Sequence, residues 1–180
     1  INPLRGQNNV QGSCDMGALP NVYTNYQSAD DVEQQEKVSA AWGVKVPTKE
    51  GMTYPKMLHA IKEGNVRSMY MIGSDIAHTD PNNQFVQEAL GQLELLIVQD
   101  IFMTESAKFA HIILPAATFL ESNGTYTNGE RRIQRIRKAL DPPGQAKEDW
   151  LIVAELAEAA VKEPHTALGE GVAGGVVAEG

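Results

Sequence analysis

The chain has 180 residues, 42% hydrophobic and 21% charged, ordinary for a soluble globular protein and enough for one domain with a sizeable core. Its formal net charge of −8 argues against a nucleic-acid surface or an anionic membrane as partner. No apolar run reaches the roughly 20 residues that span a bilayer. One cysteine, Cys14, excludes an internal disulfide framework, and His59, His78, His111 and His165 lack the spacing of zinc ligands. The chain opens at Ile1-Asn2-Pro3 with neither an initiator methionine nor a secretory leader, so a piece of a longer polypeptide is expected.

Residues 3–20 are too polar for a core strand and too rich in glycine for a helix interior, which predicts a loop. Gly6, Gly12 and Gly17 allow close backbone approach, while Arg5, Gln7, Asn8, Asn9 and Gln11 offer donors and acceptors. Two readings stay open: a surface loop bonding its own backbone, or a donor array for a carboxylate or phosphate. Residues 23–27 read as irregular. Asp30 is the predicted cap of a helix in which Val38, Ala41 and Trp42 share a face before Gly43 ends it. A second helix is predicted over 55–63, with Met57, Leu58 and Ile61 inward and Gly64 as its stop.

From Val66 the pattern turns to alternating strands and helices. Residues 66–72 read as a strand running into Gly73-Ser74-Asp75. A polar connection follows, and Pro81 behind Asp80 opens a helix with Val86, Ala89, Leu90 and Leu93 at i, i+3, i+4 and i+7. Leu95-Leu96-Ile97-Val98 suits a strand buried on both faces, ending at Gln99-Asp100. A short helix over 104–109 and a strand over 111–114, closed by Pro115, complete the unit. The fold class implied is α/β, a doubly wound, mostly parallel sheet of Rossmann or flavodoxin-like layout. Ligands in such sheets bind beyond the carboxyl ends of the strands, where Gly73-Ser74-Asp75, Gln99-Asp100 and Pro115-Ala116-Ala117 fall. Asp75 and Asp100 there can hold ribose hydroxyls or guanine nitrogens, or equally can cap a helix or anchor a turn.

The stretch 118–146 reads as a hairpin-like excursion with a basic run from Arg131 to Lys138, by default a solvated face. A closing helix over 147–163 carries Trp150, Val153, Ala154, Ala157 and Val161 as one apolar stripe. Residues 164–180, rich in Gly, Ala and Val, read as a loose tail. The domain organisation is thus a polar loop segment at 1–28, an α/β region at 29–117, the excursion, the closing helix and the tail.

The wording of 3–20 resembles the segment that enters the active site of formate dehydrogenases of the molybdopterin oxidoreductase family. Four later blocks resemble it in order: Gly73-Ser74-Asp75 with Thr79-Asp80, residues 98–105, Ile113-Leu114-Pro115-Ala116, and Asn128-Gly129-Glu130-Arg131-Arg132-Ile133-Gln134. Lys147-Glu148-Asp149-Trp150 is similar to the family's final contact turn. The resemblance implies an internal fragment of a catalytic alpha subunit that binds part of a bis(molybdopterin guanine dinucleotide) carrying molybdenum or tungsten. Arg5 matches the residue that orients the formate carboxylate, and Gln7 a pterin contact. Asp75, Thr79, Gln99 and Asp149 match positions that hold the nucleotide, with Ala116 beside them.

The resemblance further implies oxidation of formate, with electrons leaving through an iron–sulfur cluster held elsewhere in the polypeptide. It implies a cytoplasmic location, with the periplasm as alternative, and no membrane insertion or nucleic-acid partner. The partners implied are formate, the remaining domains and electron-transfer subunits. No Cys-His pair matches the family's metal ligand, so no metal-ligating residue is expected in this chain, and on its own it should be inactive. His111 stands where the family pattern has aspartate. The rival readings are another reaction of the family, such as nitrate reduction, and a non-catalytic nucleotide-binding or structural module.

Overall fold

The computed structural model describes residues 6–162 and 176–178. A four-stranded, wholly parallel sheet lies at its centre, in the order β5-β4-β3-β8. Before the sheet come α1 (Val10–Asp15), the two-residue strands β1 (Val22–Tyr23) and β2 (Gln27–Ser28), α2 (Val32–Trp42) and α3 (Tyr54–Lys62). The sheet unit itself runs β3 (Ser68–Ile72), α4 (Ile76–Thr79), α5 (Asn83–Leu90), β4 (Leu95–Asp100), a 3-10 turn (Ser106–Phe109) and β5 (Ile112–Pro115). An antiparallel hairpin of β6 (Gly124–Thr127) and β7 (Ile133–Ile136) follows, then α6 (Asp149–Lys162) and β8 (Val176–Ala178). The α/β class with a parallel sheet and a hairpin excursion is therefore as expected. Strand order moves outward from β3 to β5 and then returns to place β8 on the other side of β3.

The alternation of β3 and β4 divides the sheet into two unlike faces. Met69 and Met71 of β3, with Leu96 and Val98 of β4, point into the main core. There they meet Met57, Leu58 and Ile61 of α3 and Val86, Ala89 and Leu90 of α5. Leu96, Val98, Val86 and Ala89 are completely buried. The opposite face carries Tyr70 and Gln99, whose strands pair with Tyr70 opposite Ile97 and Ile72 opposite Gln99. One face therefore packs into the main core, and the other carries Tyr70 and Gln99 beside Ile72 and Ile97.

Several sequence expectations shift. The opening stretch is not all loop: Val10–Asp15 is helical with Gly12 inside it. A Cβ on Gly12 would lie 2.2 Å from Asn9 Oδ1, so only glycine lets the Asn9 side chain cross the helix. Asn9 Oδ1 uses that passage to accept the Thr127 N–H of the hairpin at 3.0 Å. The cap of α2 is Asp31, not Asp30; Asp31 Oδ1 accepts the Glu33 N–H at 2.9 Å. Val38 is buried as expected, but Trp42 is 57% exposed. The polar connection after β3 contains α4, and α5 is capped by Asn82 while Asp80 Oδ1 instead accepts the Asn82 N–H.

In α6 the predicted stripe faces outward at Trp150 and Val153, and Ile152 is the residue that packs inward. The Trp150 indole N–H bonds the Glu148 carboxylate, which draws it to the surface. Of the expected tail, residues 164–175 and 179–180 lie outside the described residues, and Val176–Ala178 pair in parallel with Tyr70–Ile72. Among the described residues no helix is long and apolar enough to cross a membrane.

Candidate functional site

The carboxyl ends of β3, β4 and β5 lie together, as parallel pairing requires. Five of the predicted site residues collect there: Asp75 and Thr79 after β3, Gln99 at the end of β4, Ala116 after β5, and Asp149 at the start of α6. Backbone bonds bring the last of these in. The Ala117 N–H bonds Lys147 O at 2.8 Å and the Lys147 N–H bonds Pro115 O at 3.1 Å, which clips the start of α6 to the end of β5. Ala116 is buried at this clip, with its N–H on Asp100 O at 3.0 Å. Its small side chain suits the close backbone approach.

Gln99 is completely buried, unusual for an amide and acceptable only when its groups are bonded. Its Nε2 donates to Asp149 Oδ1 at 2.5 Å, and its Oε1 accepts from the Tyr70 hydroxyl. The residue Asp149 is open to solvent, but this carboxyl oxygen turns inward onto the sheet. Burial pushes the carboxyl above the ordinary aspartate range, the Gln99 amide opposes that, and the nearby Asp100 charge adds to it. Tyr70 and Tyr126 are each raised, first by burial and then by the Asp149 charge. Tyr126, on the hairpin, is thus a neighbour of the same carboxyl.

Asp75 has a second task. Its Oδ1 accepts both the Ser106 N–H and the Ser106 hydroxyl at 2.8 Å, and Oδ2 takes a long 3.4 Å bond from the Glu105 N–H. Ser106 is completely buried, and its Oγ accepts the Ala77 N–H at 3.0 Å. The turn-anchor reading of Asp75 is therefore realised. Thr79 is exposed, its hydroxyl on the Asp75 carbonyl at 3.0 Å.

Among the described residues, no bond brings Gln7 to this cluster. It is exposed in the turn leading into α1, a segment tied to the hairpin through Asn9. Arg131 reinforces that tie, with its guanidinium 5.5 Å from the centre of the Tyr26 ring and 3.9 Å from Asp15. Arg5 lies outside the described residues. His111, in place of an aspartate, accepts the Leu96 N–H on Nδ1 at 3.0 Å, so its ring supplies the acceptor a carboxylate would. A separate groove of about 550 Å³ lies along β5 and α6, lined by Ile113, Leu114, Pro115, Lys147, Ile152 and Leu156. None of the described candidate residues lines it.

The molybdopterin oxidoreductase family model matches residues 3–159, which takes in the whole cluster. This chain belongs to the molybdopterin oxidoreductase family. Among relatives, the F420-dependent formate dehydrogenase subunit alpha of Methanocaldococcus jannaschii is 48% identical over 158 residues, 88% of this chain and 23% of that protein. Formate dehydrogenase H of Escherichia coli is 45% identical over 158 residues, 87% of this chain and 22% of that one. The chain thus spans less than a quarter of the length of these relatives. Acetylene hydratase from Pelobacter acetylenicus superposes with a TM-score of 0.56 over 81% of this chain and 19% of its own, at 22% identity, a likeness of fold alone.

Within this family framework, sequence reasoning missed Tyr70, Tyr126 and Ser106. For Tyr70 a signal existed. Its parity in β3 matches that of Gln99 in β4 once the strands are paired, which puts both on the same face. Ser106 and Tyr126 left no such mark, because the contacts that define them cross 31 residues and 23 residues of chain.

Proposed function

We propose that this chain is the part of a formate dehydrogenase alpha subunit that holds the guanine nucleotide end of a bis(molybdopterin guanine dinucleotide). The observation that carries the reading is the gathering of Asp75, Thr79, Gln99, Ala116 and Asp149 at one sheet end, in a chain 45–50% identical to proteins named formate dehydrogenases. The donor set fits a guanine nucleotide. Carboxylates accept from an N–H edge or ribose hydroxyls, and the exposed Thr79 adds a neutral hydroxyl. When bound, the molybdenum or tungsten cofactor supplies a two-electron acceptor for formate.

The protein's own residues have simpler tasks. Asp149 accepts hydrogen bonds from the nucleotide, and Gln99 steadies that carboxyl from beneath. Gln7 contacts the pterin. Arg5 orients formate, because its fixed charge and planar fork suit a carboxylate. Formate then leaves as carbon dioxide with one proton and two electrons released. An iron–sulfur cluster held in the rest of the polypeptide would take those electrons onward, in a cytoplasmic enzyme. Formate is favoured over nitrate because relatives along nearly the whole match carry the formate name. Alone, the chain is inactive.

The test is formate-dependent dye reduction by the full-length polypeptide that contains this chain, with and without Arg5→Ala. Loss of turnover at unchanged pterin content supports the reading. Pterin without any formate activity moves the reaction elsewhere in the family.

A further inference from the structure

We propose that Tyr70 is a positioning residue for the nucleotide-binding carboxylate, its hydroxyl fixing which end of the Gln99 amide faces Asp149. The inference rests on the nucleotide reading above and extends it to a residue that the family resemblance did not single out.

An amide has one accepting and one donating end, and an ionised carboxylate can only accept. Asp149 therefore demands the Nε2 end of Gln99, which leaves Oε1 pointing along the sheet toward Tyr70. The Tyr70 hydroxyl, as donor to Oε1, completes a one-way chain from β3 through β4 to α6. Reversal would put Nε2 against the phenol and Oε1 against the carboxylate, two acceptors face to face. Since Gln99 is completely buried, water offers no alternative partner for either end.

The chain also polarises the amide. A donor on Oε1 strengthens Nε2 as a donor, so Tyr70 supports the charge on Asp149 without touching it. Three other titratable groups bear on that carboxyl or its chain. Asp100 from β4 and Tyr126 from β6 lie close to it, and Tyr70 itself comes from β3. Within α6 and its approach, Lys147 is engaged by Glu155, and Glu148 by the Trp150 indole.

Tyr70→Phe keeps the ring, so the fold is retained and circular dichroism verifies it. GDP serves as the probe, with calorimetry of wild type and variant at neutral pH. Loss of one neutral hydrogen bond behind the carboxyl predicts about fivefold weaker GDP binding. The second readout is the ¹³C titration of the Asp149 carboxyl, which is expected to move to higher pH in the variant. A purely structural hydroxyl would leave that titration in place. Equal GDP affinity, or an Asp149 titration that stays or moves down, overturns the role of Tyr70 while leaving the nucleotide reading intact. Failure of wild type to bind GDP overturns the nucleotide reading and with it this inference.

Discussion

Replacing Asp75 by alanine removes the acceptor of two buried donors at once. Asp75 Oδ1 takes the Ser106 N–H and the Ser106 hydroxyl, both at 2.8 Å, and Ser106 is completely buried. Each donor left without its acceptor costs about 1–3 kcal/mol. The hydroxyl can rotate to seek another acceptor, but the backbone N–H cannot. The loss expected for Asp75→Ala is therefore about 3 kcal/mol, a large share of the roughly 5–15 kcal/mol that holds a domain together. Asp75→Asn keeps one oxygen in place and should lose only about 1 kcal/mol, the difference between a charged and a neutral acceptor. Urea unfolding followed by circular dichroism measures both, and the slopes should match that of wild type. If alanine and asparagine prove equal, or alanine loses less than about 1 kcal/mol, the carboxylate is not the anchor of the 3-10 turn.

Other consequences follow from single contacts. Leu96→Ala, at a completely buried position between α3 and α5, should lower stability by about 2–5 kcal/mol in the same unfolding experiment. Gly12→Ala forces Asn9 Oδ1 from a Cβ 2.2 Å away, and hydrogen exchange should show loss of protection at the Thr127 amide. His111→Leu removes the acceptor of the Leu96 N–H and should cost about 1–2 kcal/mol, whereas His111→Asp should keep most of it. For Asp149, the folded carboxyl holds its proton more tightly than the unfolded one, so the native state binds more protons in the window that opens near pH 3.9. Stability therefore falls as pH rises through that window, and Asp149→Asn should flatten the fall and be more stable than wild type at neutral pH. Unfolding series at stepped pH check both the slope and its loss.

Much of the α/β unit was legible because its signals are local. The i, i+3, i+4, i+7 repeat of Val86, Ala89, Leu90 and Leu93 and the apolar run at 95–98 each specify one element and one buried face. The ends of elements were less legible. Asp30 and Asp31 are adjacent and chemically identical, and only the bond to the Glu33 N–H tells which one caps α2. Helix α1 was hidden because Gly12 lowers helix propensity, and its reason for being glycine, the path of the Asn9 side chain to Thr127, spans 118 residues. The stripe on α6 was misread since periodicity names an apolar face without saying that anything covers it. At the site, the resemblance supplied Asp75, Gln99 and Asp149, but the Tyr70 and Ser106 partners that hold them arise only from strand pairing and turn packing.

The most direct test is an amide chemical-shift map of the chain titrated with GDP. The account predicts changes concentrated at 73–79, 99–100, 116–117 and 149–150, the carboxyl ends of β3, β4 and β5 and the start of α6. Changes confined to the groove between β5 and α6, or none at saturating GDP, would contradict it.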